Sequence, residues 1–352
     1  MKDIVLFSRV TNKEKVFFAR QLAVMVSSGV AIDNAINLVR LQTRNVAFKR
    51  VLGQIHKDVQ AGEKLSVTLA KFPRVFDQVF VAVVSSGEAS GKLDKVLIHL
   101  ADRMEQFQAF NSKIRSALAY PIFIVVVMIF VIALMMIKVI PVLKAVFEES
   151  GAKLPWTTRA VVAISDFMVS WWWLVLAIVA LLTVALWMVF TKTRWGRFAW
   201  DTIKLKTPIV RYVSYDIYMA RFTRTLGMLI ASGIPIIETI RITARAINNR
   251  IYIRILKNVI AQVERGIPMS VPLEKEKEFP ILVPQMIMVG EQTGKLEVLM
   301  EKLADYYENE VDTKIKTLAN LVEPVTIIIV GAGVGFLIYS ILYPIYSLVN
   351  VI

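Results

Sequence analysis

The residues Gly87-Glu88-Ala89-Ser90-Gly91-Lys92-Leu93 recur as Gly290-Glu291-Gln292-Thr293-Gly294-Lys295-Leu296, and this recurrence constrains the fold more than any other feature. The likeness extends along the chain at one offset. Leu100-Ala101-Asp102 answers to Leu303-Ala304-Asp305, and Pro121 and Pro141 answer to Pro324 and Pro344. Upstream, Phe18, Arg20, Leu22, Ser28 and Gly29 answer to Phe222, Arg224, Leu226, Ser232 and Gly233, one residue further apart. The change of offset falls between Leu273 and Gly290. A chain built this way carries a tandem duplication of a whole domain, not a short solenoid period.

Each copy ends in apolar sequence. Residues 116–137, 167–191 and 324–352 carry no charge, and they account for a hydrophobic content of 56% and a mean hydropathy of +0.57. About 20 apolar residues of helix cross a hydrocarbon layer of roughly 30 Å. A long soluble helix would keep a polar stripe, and these runs have none. They are therefore expected to be three transmembrane helices, the middle one flanked by Trp171-Trp172-Trp173 where interfacial aromatics belong.

The net charge of +14 follows the same plan. Lys113 and Arg115 precede the first run, Lys192, Arg194, Arg197, Lys204 and Lys206 follow the second, and Lys314 and Lys316 precede the third. The segment between the first two runs is nearly balanced. That asymmetry places both repeats in the cytoplasm, and it assigns the basic excess to topology and lipid headgroups instead of nucleic acid. The absence of cysteine excludes disulfides and thiolate metal sites. The patch Lys2 to Phe7 is too short for a signal peptide, so insertion is expected to use the first internal run.

Within each repeat, apolar residues recur at helical spacing. Phe18, Leu22, Met25 and Val26 mark a first helix that Thr11 or Asn12 can cap and Ser28-Gly29 ends. Ile32, Ile36 and Val39 mark a second, and residues 46–60 a third. Phe72-Pro73 forms a break mirrored by Phe279-Pro280. Residues 80–84 would suit a buried strand, but their repeat favours a helix. Leu93 then begins a long helix that runs on into the membrane, with Pro121 absorbed near the start of the span. Each repeat reads as a bundle of about six helices.

Gly91-Lys92 and Gly294-Lys295 invite comparison with a phosphate-binding loop. That motif needs one more residue between its glycines and a hydroxyl where Leu93 and Leu296 stand, so nucleotide binding is set aside. The motif is expected to be a helix–turn–helix corner. Its glycines permit the turn, Ser90 and Thr293 are placed to cap the next helix, and Glu88 and Glu291 sit at an exposed corner that can meet a partner. His56 and His99 have no counterparts in the second copy and no carboxylate or thiol companions, so no metal or other cofactor is expected. Nothing resembles a nucleophile with its base, so no enzyme is expected. Glu323-Pro324, opposite Tyr120-Pro121 in the first copy, places a carboxylate at the mouth of the third span, where such groups are costly. Gly331, Gly333 and Gly335 offer a face for close helix packing in the membrane.

Taken together, the duplicated unit, the G-E-x-[ST]-G-K-L corners and the apolar segments resemble the type II secretion F-domain family. These are the GspF/PilC inner-membrane platform proteins of type II secretion and type IV pilus systems. Residues Lys113 to Pro121 with Pro141, Leu154-Pro155 with Thr158-Arg159, and Glu323-Pro324 with Tyr343-Pro344 carry the resemblance, which runs from about Phe17 to Tyr346. It implies an all-α membrane protein with two tandem-repeat six-helix cytoplasmic bundles and three transmembrane helices. The corresponding boundaries are bundles at 1–115 and 192–321, spans at 116–138, 171–191 and 322–348, and an extracytoplasmic segment at 139–170. The implied role is a non-enzymatic, self-associating scaffold in the bacterial inner membrane with a cytoplasmic amino terminus. It would couple a hexameric assembly ATPase to pilins or pseudopilins, alongside other inner-membrane assembly components. Glu88, Gly91, Lys92, Glu291, Gly294 and Lys295 are the candidate partner-binding residues. Tyr120, Pro121, Glu323, Pro324, Gly331 and Gly335 are candidates for intramembrane packing or pilin contact. A small transporter or channel component is the alternative, and it would need polar groups that these nearly bare spans lack.

Overall fold

The computed structural model describes residues 10–149, 156–193, 196, 200–203 and 207–349. The Lys2 to Phe7 patch, the Leu154-Pro155 break and the basic residues Arg194, Arg197, Lys204 and Lys206 lie outside them. Among the described residues all regular structure is helical. The first repeat comprises α1 (Asn12–Ser27), α2 (Ile32–Gln42), α3 (Val46–Gln60), α4 (Leu65–Ala70), α5 (Gln78–Ser90) and the start of α6 (Leu93–Leu134). A π-helical turn, Met135–Val139, continues α6 into α7 (Ile140–Glu149), and α8 (Trp156–Lys192) follows. The second repeat comprises α9 (Pro208–Ala231), α10 (Ile236–Ile247), α11 (Arg250–Val263), α12 (Ser270–Glu274), α13 (Leu282–Thr293) and the start of α14 (Leu296–Val349).

Local chemistry sets many of these boundaries. Thr11 caps α1 reciprocally with Glu14: the Glu14 amide donates to the threonine hydroxyl (3.3 Å), and the Thr11 amide donates to the glutamate carboxylate (2.7 Å). Asn45 accepts from the amides of Ala47 and Phe48 to start α3, and its counterpart Asn249 accepts from Ile251 to start α11. Residues 80–84 lie in α5, where Asp77 caps the helix through the Phe80 amide.

Contacts divide the chain into two units. The first gathers the chain up to Lys113 with Asp201–Asp312, and so holds both repeats. In the first repeat Phe18, Phe48, Phe76 and Phe80 form an aromatic nest, with Phe18 and Phe76 ring centres 5.5 Å apart. In the second, Phe222, Tyr252 and Phe279 take over, Phe222 lying 5.1 Å from Phe279. Phe279 therefore answers to Phe76, not to Phe72 as the Phe-Pro dipeptides suggest. The one-residue change of offset lies just before it, and the buried partners, not the following proline, define the equivalence. Tyr252 stands where the first copy has Phe48. Its hydroxyl donates to the Glu278 carbonyl at 3.1 Å, and burial pushes its pKa up, so it remains a neutral donor.

The repeats meet asymmetrically. Helix α5 of the first packs against α9 and α10 of the second. Leu229 and Ile242 enter the same buried cluster as Phe80 and Val83. The Ser86 hydroxyl donates to the Ser232 carbonyl, and Arg245 donates to the Gln78 side chain at 2.8 Å. An Arg103–Glu301 ion pair also links the repeats.

The second unit comprises Ile114–Trp200 and the chain from Thr313. Two helical stretches, Leu93–Val142 and Leu296–Gly335, are long and apolar enough to cross a membrane, and their apolar windows are wholly unburied. Phe123, Phe130, Ile327 and Ile328 all stand exposed along them. Such continuous apolar surface requires a non-aqueous surrounding. In α8 the backbone leaves helical geometry at Trp171. The buried Ser165 hydroxyl of α8 donates to the Met136 carbonyl within the π turn, supplying a donor where the helical ladder is locally widened.

Candidate partner-docking corners

Both copies of the repeated motif form the same corner. Helix α5 ends at Gly91 with φ +66°, and α13 ends at Gly294 with φ +66°, a left-handed conformation that favours glycine. The Lys92 amide returns to the Gly87 carbonyl at 3.0 Å to close the turn. The first glycine of the motif has a different task. A Cβ on Gly87 would lie 3.2 Å from the Leu93 backbone and 3.1 Å from Val96, and on Gly290 it would lie 2.8 Å from the Leu296 backbone. These glycines let the outgoing helix cross directly over the incoming one.

Both glutamates turn back onto a neighbouring helix start, Glu88 half-buried and Glu291 exposed. Glu88 accepts hydrogen bonds from the amides of Leu65 (2.6 Å) and Ser66 (3.1 Å), and from the Ser66 hydroxyl. Glu291 repeats this with the amides of Met269 (2.6 Å) and Ser270 (3.3 Å) and the Ser270 hydroxyl (2.6 Å). Neither α4 nor α12 is capped by a side chain at its own N-cap position. Each carboxylate thus supplies from a distance the acceptor that two unpaired amides need, at the helix end where negative charge is favoured. The expectation of exposed glutamates is corrected for Glu88, which is half-buried. The hydroxyls of Ser90 and Thr293 also differ from expectation. They donate backwards to the Ser86 and Val289 carbonyls instead of capping α6 and α14. What each corner presents outward is Gly91-Lys92 and Gly294-Lys295, all four exposed.

A second repeated constellation went unread in the sequence. Arg20 donates to Asp102 (2.5 Å) and to both oxygens of Glu105 (2.6 and 2.7 Å). Its counterpart Arg224 donates to Asp305 (2.6 Å) and Glu308 (2.8 Å). Each clamp ties the first helix of a repeat to its last. The Arg20 hydrogen bonds hold the Glu105 carboxyl below its ordinary value. Burial alone would lower the Arg224 pKa, but the bonds to Glu308 and Asp305 more than offset it. The recurrence of Arg20 and Asp102 in both copies was the available signal.

The intramembrane candidates lie on the second unit. Tyr120 and Pro324 are exposed, Pro121 is accommodated within α6, and Glu323 belongs to α14, its side chain outside the described set. A Cβ on Gly331, Gly333 or Gly335 would meet nothing within 4 Å, so α14 is open around each of these glycines. Among the described residues no cluster of histidines and carboxylates could hold a metal, and the His56 ring lies 3.0 Å from the Asp33 carbonyl.

The profile of the family described as type II secretion system (T2SS), protein F, matches twice, over residues 18–141 and 222–344. The chain belongs to the type II secretion system protein F family. The two matches begin 204 residues apart and end 203 apart, as the internal duplication requires. The chain is 34% identical over 346 residues to the type IV pilus assembly protein PilC of Myxococcus xanthus, covering 98% of this chain and 83% of the relative. It is 33% identical over 351 residues to the type II secretion system protein F of Aeromonas hydrophila, covering 99% and 90%. The PilC of Pseudomonas aeruginosa is 31% identical over 335 residues, covering 95% and 90%. Family members named for pilus assembly and for secretion thus align with nearly all of this chain, including both corners.

Proposed function

We propose that this chain is the inner-membrane platform of a type IV pilus or type II secretion machine, a scaffold without catalysis of its own. The single observation that carries the reading is the union of both repeats in one unit of a family member with membrane-length apolar helices. Two repeats packed together lie on one side of a membrane, so the chain between them crosses an even number of times. With α6 as one crossing, α8 is the element available for the return, which makes three spans with α14 and supports the domain boundaries expected from sequence. The basic residues flanking the bundles put that side in the cytoplasm, with the amino terminus.

In this reading the exposed Gly91-Lys92 and Gly294-Lys295 turns are the contacts for a hexameric assembly ATPase, while Glu88 and Glu291 hold the corners in shape. Tyr120, Pro121, Glu323, Pro324 and the Gly331–Gly335 face of α14 meet pilin or pseudopilin helices, or other inner-membrane components, within the bilayer. The test is co-purification of the full chain with the assembly ATPase of its own cell. Lys92→Glu with Lys295→Glu is expected to reduce association at least tenfold without changing the thermal midpoint. Unchanged association would refute the docking role. Topology is read separately with an impermeant thiol reagent. Lys144→Cys is expected to label in intact cells and Ser90→Cys only after permeabilisation.

A further inference from the structure

The contact between the repeats is head-to-tail, and that leaves one unused copy of each of its faces. In the chain, the α5 face of repeat 1 meets the α9–α10 face of repeat 2. The corresponding face of repeat 2 lies on α13, and the corresponding face of repeat 1 lies on α1–α2. Both are bare. Ile242, in the contact, is 5% exposed, whereas its equivalent Leu38 is 43% exposed. Met228 is half-buried and its equivalent Val24 is exposed. Val79 and Ser86 are half-buried, and their equivalents Leu282 and Val289 are exposed.

The two bare faces also match each other chemically. Where the internal contact joins Gln78 to Arg245 by a hydrogen bond, the free faces carry Ile281 (71% exposed) and Leu41 (58% exposed). A polar pair in one setting is replaced by an apolar pair in the other, with both members changed together. Leu41 and Ile281 lie on different repeats, each exposed, so nothing among the described residues accounts for their matching. A partner that presents one face to the other does.

We propose that the occupant is a second copy of this chain, its α13 face seated on the α1–α2 face in the same geometry as the internal repeat contact. The α13 face is Ile281, Leu282 and Val289, and the α1–α2 face is Val24, Leu38 and Leu41. The association is heterologous, so each chain keeps one free face of each kind and can extend into a ring or a row in the membrane plane. This inference stands independently of the ATPase-docking reading and deepens only the expectation of self-association.

The chain contains no cysteine, so introduced thiols are the only ones. Ser86 and Ser232 touch across the internal contact, and their equivalents across the proposed one are Val289 and Ser28. The experiment uses the full chain in membranes with a thiol oxidant or a short bis-maleimide. Ser86→Cys with Ser232→Cys, closing within one chain, sets the reaction conditions. A mixture of Ser28→Cys chains and Val289→Cys chains is expected to give a covalent dimer that neither variant gives alone. The double variant is expected to give a ladder, and adding Leu38→Asp is expected to reduce it at least tenfold. No cross-link in the mixture under those conditions would overturn the proposal. So would equal cross-linking of either single variant with itself, which would mean a face-to-face dimer.

Discussion

Replacing Glu88 by alanine separates the two roles a carboxylate at this corner can have. The side chain accepts from two backbone amides and one hydroxyl at the start of α4. A hydrogen bond to a charged group contributes about 1.5–3 kcal/mol net, and loss of an N-cap acceptor costs about 1 kcal/mol. Because the site is half-buried, water replaces part of what is lost, which puts Glu88→Ala at about 2 kcal/mol. Glu88→Gln keeps one acceptor oxygen and gives up the charge at the positive end of the helix, so it is expected to cost about half as much. The effect is local, and hydrogen exchange of the full chain in detergent reads it directly. Protection of the amides at residues 65–70 should fall about 30-fold in the alanine variant, since about 1.4 kcal/mol corresponds to a factor of ten. Exchange within twofold of wild type, accompanied by lost association with an ATPase, would refute the capping argument and return Glu88 to the surface as a contact. Charge reversal at the same position cannot make this distinction, because a lysine both removes the cap and opposes the helix dipole.

Further outcomes follow from the repeated contacts. Gly290→Ala places its Cβ 2.8 Å from the Leu296 backbone and should destabilise by more than Gly87→Ala, where the closest approach is 3.1 Å; about 1–3 kcal/mol is expected for the latter, measured from thermal midpoints. Gly91→Ala and Gly294→Ala meet no neighbour within 4 Å and should cost only the left-handed strain of about 1–2 kcal/mol. Arg224→Ala should cost about 3 kcal/mol, because its side chain is 10% exposed and Glu308 is left nearly buried without a partner. Arg20→Ala should cost less than about 1 kcal/mol, since its carboxylates face solvent. The Arg20 contribution should also depend on pH. The folded Glu105 carboxyl titrates below its ordinary 4.5, so the stabilisation is fully present above that value and is lost as pH falls through the lower folded value. The difference in midpoint between wild type and Arg20→Ala should therefore shrink on acidification and stay constant from pH 4.5 upward.

The helical architecture was legible because it rests on periodicity and on punctuation. Phe18, Leu22 and Ile36 recur at helical spacing, Gly29 and Gly91 mark turns, and the first and third uncharged runs lie in membrane-length helices. The aromatic nest was less legible. Phe72-Pro73 looks like Phe279-Pro280 as text, but equivalence is decided by which ring reaches Phe18 or Phe222. The reading of Glu88 was incomplete for a similar reason. A carboxylate beside a glycine turn looks exposed until the chain 22 to 23 residues earlier is known to bring uncapped amides to it. The arginine clamps were half visible, since duplication flagged Arg20 and Asp102 separately but could not say that the bundle folds them together. The asymmetry between the repeats lay beyond periodicity altogether. Leu38 and Ile242 are both apolar residues on a second helix, and only packing distinguishes the covered one from the bare one.

That asymmetry bears on how the two kinds of contact are held. Joining the repeats in one chain makes the meeting of α5 with α9 and α10 intramolecular, at an effective concentration set by the connecting chain instead of by how many molecules are present. A tethered contact of this kind forms even when its intrinsic affinity is modest, and a solvent-facing Gln78–Arg245 hydrogen bond suffices at its edge. A contact with a separate molecule has no tether and must draw its strength from the surface itself. Duplication therefore relaxed the demand on one copy of the interface and left it in force on the other. The leucine and isoleucine at positions 41 and 281 are where that demand is still written.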